Sequence, residues 1–592
     1  MKQFFKMFFA SFLAMVVMGV IIFAVIIGII AAIAGSADEK ETSVADNSIL
    51  IIDSEKLIHE QGEKNSIAAF SGDRDYSPGL YDITKAIEHA KTDDNIKGIL
   101  IRLGYSPNGW ATLQQLRHAL ASFKTNNKFI YAYGEIIPQK TFYLASVADS
   151  IFLNPVGYSE LKGLSSQLPF FKGTLAKLEV APVIFYAGKF KSATEPFREE
   201  KMSEPNRQQI ADLQNDIWAE YVTAVGAHNR TNGAAVNQLA QTGAIQFPAD
   251  ALRYKLVDAL LYWDEVEQKM RAMTDRKADE KIKYVDLGDY AAKVRNDKKL
   301  KDERIAVLFA EGSISDGEKN SDYEIASEDF VEEIRKIKKN DKIKAVVLRV
   351  NSPGGSALAS EVILRELQLL RQKKPIIVSM GDVAASGGYY ISCQADSIFA
   401  MPNTITGSIG VFTMLFNSEA MLKNKLGITF DQVKNAPSAD FPSLTREFTP
   451  QENQRMQAGV DTIYSIFKRR VATARRMDIA LVDSFAQGRV WSGTDALRIG
   501  LVDGLGGLDR AIFSAAKKAG ISSYQVVTYP EPVDKFESLM RQFKGASVST
   551  NVVKAALAEQ MGPDYEYIQQ IRFLYKMNGR AQMAMPFKVS ID

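Results

Sequence analysis

Apolar and polar positions along this chain change their period repeatedly, and each change marks an element. The run IAVLFAEG (305–312) is short and almost continuously apolar, which suits a strand buried on both faces. FVEEIRKIKK (330–339) spaces its apolar residues three and four apart, as one face of a helix does. KAVVLRV (344–350) predicts a second strand, SEVILRELQLLRQ (360–372) a second helix, and PIIVSMG (375–381) a third strand. Alternation of this kind predicts βαβ units on a largely parallel sheet, with any site at the carboxyl ends of the strands.

The same pattern occurs earlier in the chain, because the chain contains itself twice. IKGILIRL from Ile96 and IKAVVLRV from Ile343 lie 247 residues apart, and the two DSIF segments (149–152 and 396–399) and Pro155 with Pro402 keep that spacing. DALRYKLVD (250–258) and DALRIGLVD (495–503) share seven of nine residues at a spacing of 245. A register this constant predicts a tandem duplication, 47–263 and 304–519, joined by a charged connector, 264–303, and followed by an extension, 520–592. Within the extension KFESLMRQF (535–543) reads as a short amphipathic helix.

Residues 7–37 carry no charge and follow Lys2 and Lys6. That run exceeds the about 20 apolar residues that cross a bilayer and the about 7–15 of a leader's apolar region. The reading is a cytoplasmic N-terminus and transmembrane anchor, 1–37, with everything after Asp38 on the far side of the membrane. A leader cleaved after Ala32-Ile33-Ala34 is the competing reading.

A length of 592 residues exceeds one ordinary core, and 46% hydrophobic with 24% charged residues is a globular composition. The balance of 72 basic against 70 acidic residues makes no case for nucleic-acid binding. The single cysteine, Cys393, excludes an internal disulfide and a cysteine-rich metal site, and reads as a small buried hydrophobe.

Two glycine-rich turns in the second half could hold chemistry. One is NSPGGS (351–356). The other, AASGG (384–388), follows a predicted strand and precedes a predicted helix, which puts Ser386 where free backbone N–H groups face outward. Ser386 is then placed for nucleophilic attack, with Gly387 N–H as one oxyanion donor and Gly355 N–H as the second. Neither turn ends in the Gly-Lys-Ser/Thr of a phosphate loop. Glycines that only shape tight turns are the competing reading.

A serine nucleophile needs a base. The four histidines, His59, His89, His118 and His228, all lie in the first half and none sits in a glycine-rich turn. The position matching Ser386 in the first half is Gln139, so that half has no nucleophile. It does carry GKFKSATEPF (188–197), in which Lys191 matches Ala436 of the second half. One half thus holds the candidate nucleophile and the other the candidate base. Lys189 reads as a surface charge and Glu195 as a solvated or structural partner.

The segments GKFKSATEPF, NSPGGS, MGDVAASGGYYIS and TGSIGVF, in this order and with the duplication, resemble the signal peptide peptidase A family (protease IV) in its long form. The resemblance implies an α/β fold, a tandem duplication of Clp protease/crotonase-like ββα units, here with an N-terminal transmembrane helix. It implies a Ser–Lys dyad of Ser386 and Lys191, with Ser408 of TGSIG orienting the lysine and Gly355 in the oxyanion hole. It also implies a homo-tetramer and hydrophobic peptides, such as cleaved signal peptides, as substrates, with no cofactor and no metal. The physics agrees: a free lysine, pKa about 10.4, is charged at neutral pH, and burial lowers that value.

The expectation is therefore a membrane-anchored serine endopeptidase, single-pass in a bacterial inner membrane, in contact with the lipid bilayer through its N-terminal helix and with its catalytic part on the periplasmic side. A crotonase-type acyl-CoA enzyme and a non-catalytic membrane scaffold are the alternatives.

Overall fold

The computed structural model describes residues 13–15, 17–21, 44–64, 76–228, 232–277, 280–296, 301–319, 321, 323–532 and 580–585. Two parallel sheets form its centre. In the first, the strands run in the order Ala259–Leu260, Ser150–Ser159, Phe129–Ile137, Ile96–Arg102, Ser48–Asp53, Lys283–Asp286. In the second, the corresponding order is Gly504–Leu505, Ser397–Ala400, Ile376–Ala385, Ile343–Ser352, Arg304–Glu311, Gln525–Tyr529. All these neighbours pair parallel. The strand Lys283–Asp286 comes from the charged stretch 264–303 and Gln525–Tyr529 from the extension, and each closes the same edge of its own sheet.

The repeated sequence segments do the same work in both halves. The Asp149 carboxylate accepts from Ile130 N at 2.7 Å, and Asp396 accepts from Ile376 N at 2.9 Å. Asp258 accepts from Ile151 N at 2.7 Å, and Asp503 from Ile398 N at 2.8 Å. Each carboxylate satisfies a backbone N–H at the start of a strand, which otherwise has no ladder partner. The identity between DALRYKLVD and DALRIGLVD is in part the identity of this clasp.

The helices follow from patterning. Ser327–Lys339 buries Phe330, Ile334 and Ile337 in the apolar cluster of the second half, with Glu328 and Asp329 in its first turn and lysines in its last, the arrangement that its dipole favours. Two large apolar clusters result. One holds Leu50, Ile99, Ile130 and Ile151 of the first sheet, the other Leu308, Leu348, Val378 and Ile398 of the second.

A third, six-stranded sheet joins the halves. Its order is Glu324–Ala326, Ser313–Ser315, Gly354–Ser356, Gln582–Ala584, Val411–Asn417, Ala181–Ala187. The first-half strand Ala181–Ala187 pairs antiparallel with the second-half strand Val411–Asn417 over seven residues.

The expected membrane-spanning helix is corrected. Among the described residues no helix is long and apolar enough to cross a membrane. Of the run 7–37 only 13–15 and 17–21 are described; their helical pieces amount to about 12 Å of rise, against about 30 Å of hydrocarbon. The rest of the run lies outside the described residues. The anchored form of the function, the bilayer contact and the single-pass inner-membrane placement rested on that span and are withdrawn with it. The segment KFESLMRQF also lies outside the described residues.

Candidate active site

Ser386 follows the strand Ile376–Ala385 directly and precedes the helix Gly387–Ser392. Its backbone adopts φ 55° and ψ −111°, a conformation few residues with a side chain take up. The turn is held by Ser386 N donating to Gly407 O and Tyr390 N donating to Ser386 O, both at 2.8 Å.

The strand leading to that turn is gripped from several sides. Arg349, buried on the neighbouring strand, donates to Ser379 Oγ at 2.8 Å and to Met380 O at 2.9 Å. The first half holds Arg349 in turn through Glu60, whose two carboxylate oxygens accept from Nε at 2.8 Å and Nη2 at 3.0 Å. Thr112 of the first half donates to Asp382 through its N–H at 2.9 Å and its hydroxyl at 2.5 Å.

Lys191 reaches the serine from the other half. The strand Ala181–Ala187 delivers the chain to a turn in which Lys191 N donates to Gly188 O at 3.1 Å and Phe190 N to Gln487 O at 2.8 Å. Behind the turn stands Gly488, at φ 76°; a methyl group there would lie 2.7 Å from both Lys191 Cβ and Lys191 N. Gln209 braces the same turn, its Nε2 donating to Phe190 O at 3.2 Å and to Ser192 Oγ at 3.0 Å. Glu195 is buried and anchors the following residues, accepting from Ser203 Oγ at 2.5 Å and Asn206 Nδ2 at 2.8 Å.

The result is a compact cluster. Lys191 Nζ lies 2.9 Å from Ser386 Oγ, 3.0 Å from Ser408 Oγ and 3.2 Å from Ser408 O. All three residues are 1% exposed or less. Burial away from water pushes the Lys191 ammonium well below the usual lysine range. An amine whose charged form is disfavoured in this way is suited to take a proton from a hydroxyl at hydrogen-bond distance.

Gly355 and Gly387 lie beside the serine. Gly354 and Gly355 have φ of 96° and 156°, and a methyl group on Gly355 would lie 2.0 Å from Ile314 O, so the turn can be built only from glycine. A methyl group on Gly354 would lie 2.6 Å from Gly387 N, which places the two glycine-rich turns edge to edge.

The histidines lie elsewhere. His59 stacks on Tyr323 at 4.3 Å, His89 bonds Tyr290 at 2.7 Å, His228 sits 3.6 Å from Asp258, and His118 is held low by burial on its helix. Gln139, the counterpart of Ser386, caps a closed turn: its amide oxygen accepts from Lys162 N at 2.9 Å and Gly163 N at 3.0 Å, and Nε2 donates to Gly163 O at 3.0 Å. Cys393 is buried, and burial pushes its thiol up to about 12. Among the described residues no group of His, Cys, Asp and Glu is placed to hold a metal ion.

Sequence reasoning missed three contributors: Gly488, Gln209 and the Glu60 clasp on Arg349. Gly488 and Glu60 act across nearly the whole length between the two halves, Gln209 acts from the helix that follows the lysine turn, and only Arg349, a charge inside an otherwise apolar strand, left a mark that could have been read.

Comparison with known proteins adds the following. The model of peptidase family S49 matches residues 122–277 and again 368–522, and that of Clp protease matches 297–406. Protease 4 of Salmonella typhi is 35% identical over 515 residues, 85% of this chain and 82% of that protein. Protease 4 of Haemophilus influenzae is 37% identical over 74% of this chain and 72% of that protein. The chloroplastic serine protease SPPA of Arabidopsis thaliana is 31% identical over 84% of this chain and 75% of that protein.

Proposed function

The chain belongs to peptidase family S49 and is a serine protease, and within that activity we propose that Ser386 is the nucleophile and Lys191 its general base. The observation that carries the reading is the 2.9 Å approach of a buried lysine amine, lowered in pKa by its burial, to the oxygen of a serine in a strained turn.

The chemistry runs as acyl transfer. Neutral Lys191 takes the Ser386 hydroxyl proton as Oγ attacks the carbonyl carbon of an extended peptide. The N–H groups of Gly355 and Gly387 receive the oxyanion, each donor of this kind contributing about 3–4 kcal/mol in a transition state. Lys191 then passes its proton to the departing amine. Water, deprotonated by the same amine, cleaves the serine ester and restores the hydroxyl. Ser408, in contact with Nζ through both its hydroxyl and its carbonyl, fixes the direction of the amine throughout.

Neither the acyl-CoA nor the scaffold alternative accounts for a serine and a neutral lysine brought together from two halves of one chain. The test is hydrolysis of a fluorogenic peptide by the wild type, Ser386→Ala and Lys191→Ala. Both variants are expected to fall to background while keeping the wild-type circular dichroism spectrum. Near-normal turnover by Lys191→Ala would place the base elsewhere.

A further inference from the structure

The helix Trp110–Phe123 of the first half begins without a cap of its own: its flanking residue, Gly109, has no side chain with which to accept a free N–H. The matching helix of the second half, Ala357–Arg371, is flanked by Ser356, whose hydroxyl oxygen accepts from Ala359 N at 3.2 Å. Gly109 and Ser356 stand 247 residues apart, the spacing of the repeat. The missing cap comes from the other half. Asp382 accepts from Thr112 N, on the third residue of the helix, at 2.9 Å and from the Thr112 hydroxyl at 2.5 Å. A methyl group on Gly109 would lie 2.1 Å from Asp382 Cγ. The Gly109 φ of −73° is open to any residue, so the aspartate, and not the backbone, demands glycine there.

We propose that Asp382 is a positioning residue for the reaction: by capping a helix of the first half, it fixes the strand that carries Ser386 against the half that carries Lys191. The proposal rests on the reading of Ser386 and Lys191 given above.

Asp382 lies four residues before Ser386, where its strand leaves the register of its neighbour. Val350 pairs with Met380 and Ser352 with Ala384, so Asn351 alone stands opposite Gly381, Asp382 and Val383. A bulge of this kind re-aims the chain that follows it. Beyond it Val383–Ala385 pair with Ile405–Gly407, the strand that leads into Ser408. A displacement at Asp382 is therefore carried to Ser386 and Ser408 together.

On the other side, the capped helix is packed into the body that holds the lysine. Trp110 meets Tyr221 edge-on at 6.4 Å, and both belong to the first-half apolar cluster. Tyr221 lies on the helix Glu204–His228, which also carries Gln209, the brace of the Lys191 turn. Nucleophile and base are thus fixed to one packed body at two points. A carboxylate at the N-terminus of a 14-residue helix also meets the positive end of its dipole. The matching carboxylate of the first half, Glu135, is exposed, and it precedes Gln139, where no nucleophile needs aiming.

Hydrolysis of a fluorogenic peptide, measured alongside urea unfolding, tests this. Asp382→Ala removes the cap and the link together. It is expected to lower the urea midpoint and to lose about 10–100-fold in kcat. KM should move little, since the Asp382 carboxylate is turned onto the first-half helix and not into the peptide groove. Asp382→Asn, whose amide oxygen can take the same N–H, is expected to stay within about threefold of the wild type. The double variant Gly109→Ser/Asp382→Ala separates aim from stability. Its added hydroxyl can cap the helix from the helix's own half, in the space that the carboxylate leaves, so the urea midpoint should recover while kcat stays low. Recovery of kcat together with the midpoint overturns the proposal. So does a folded Asp382→Ala enzyme within about threefold of the wild-type kcat, or an Asp382→Asn enzyme as slow as Asp382→Ala. Should Asp382→Ala not fold, Thr112→Val decides: it removes only the hydroxyl end of the link, and an unchanged kcat overturns the proposal. Ser386→Ala and Lys191→Ala, run alongside, keep the two claims apart. Turnover by either sinks the dyad, whereas background there with wild-type kcat in Asp382→Ala sinks the positioning role alone.

Discussion

Alanine at position 488 would perturb the proposed base, Lys191, without altering it chemically. The new methyl group would stand 2.7 Å from Lys191 Cβ and N and 2.8 Å from its Cα, all on the main chain or its first branch, where no side-chain rotation relieves the contact. Carbon atoms settle near about 3.5 Å, so the Lys191 turn has to retreat by about 0.8 Å. The retreat is opposed by the Phe190 bond to Gln487 and by the brace from Gln209, and the backbone at φ 76° adds about 1–2 kcal/mol for a residue with a side chain. A loss of about 2–4 kcal/mol in unfolding free energy is expected, read from urea titration. The catalytic consequence is larger. Moving a catalytic group by about 1 Å costs on the order of 100-fold in rate, so Gly488→Ala should lose about that factor in kcat on a fluorogenic peptide, with KM little changed because the groove is intact. Gly410→Ala is a control: its methyl would press on Gly488 Cα at 2.8 Å but not on Lys191 itself, and its effect on kcat should be smaller. A Gly488→Ala enzyme that folds and turns over within about threefold of the wild type would refute the idea that Lys191 works from this fixed position.

Other outcomes follow from the same geometry. Ser386→Ala and Lys191→Ala should each lower kcat/KM by about 1,000-fold or more, measured under single-turnover conditions. Because burial lowers the pKa of Lys191, kcat/KM should climb with pH through that lowered value and level off well before the about 10.4 of a free lysine; a rise that begins only above pH 10 would mean the amine is not the base. The sign for stability is linked. Between the lowered pKa and about 10.4 the unfolded chain holds a proton on this lysine that the folded chain lacks, so unfolding free energy should rise with pH across that window, and the rise should vanish in Lys191→Met. Glu60→Gln leaves the buried Arg349 guanidinium without its counter-charge and should cost about 3–5 kcal/mol in denaturant unfolding; a loss under 1 kcal/mol would show that the clasp is not what holds the two halves together there.

The strand and helix alternation, the duplication and the serine turn were legible because each is local or repeated. IAVLFAEG and KAVVLRV read as strands since they are buried on both faces, and the twin carboxylates Asp258 and Asp503 survive in sequence because each clasps the same N–H in its own half. The approach of Lys191 to Ser386 was not legible from composition or period. It depends on the antiparallel pairing of Ala181–Ala187 with Val411–Asn417, and strand partners more than 200 residues apart leave no local signal; comparison of the two halves offered that residue and the family resemblance gave it its role. Gly488 was invisible for the same reason, since its need for φ 76° arises from a turn of the other half. The strand Gln582–Ala584 is three residues long, too short for any alternation to show. The apolar run 7–37 misled in the opposite direction. Hydropathy measures how readily a segment would enter lipid, and the described helix within it falls short of a span.

The joining strand pair has a consequence in time. Lys191 and Ser386 are 195 residues apart, and the strand that draws them together ends later still, at Asn417. At about 5–20 residues per second of synthesis, the serine leaves the ribosome roughly 10–40 s after the lysine. Throughout that interval the nascent chain carries one member of the proposed dyad without the other. If Ser386 and Lys191 act as proposed, a chain interrupted anywhere before Val411–Asn417 is expected to be inert instead of an unregulated protease.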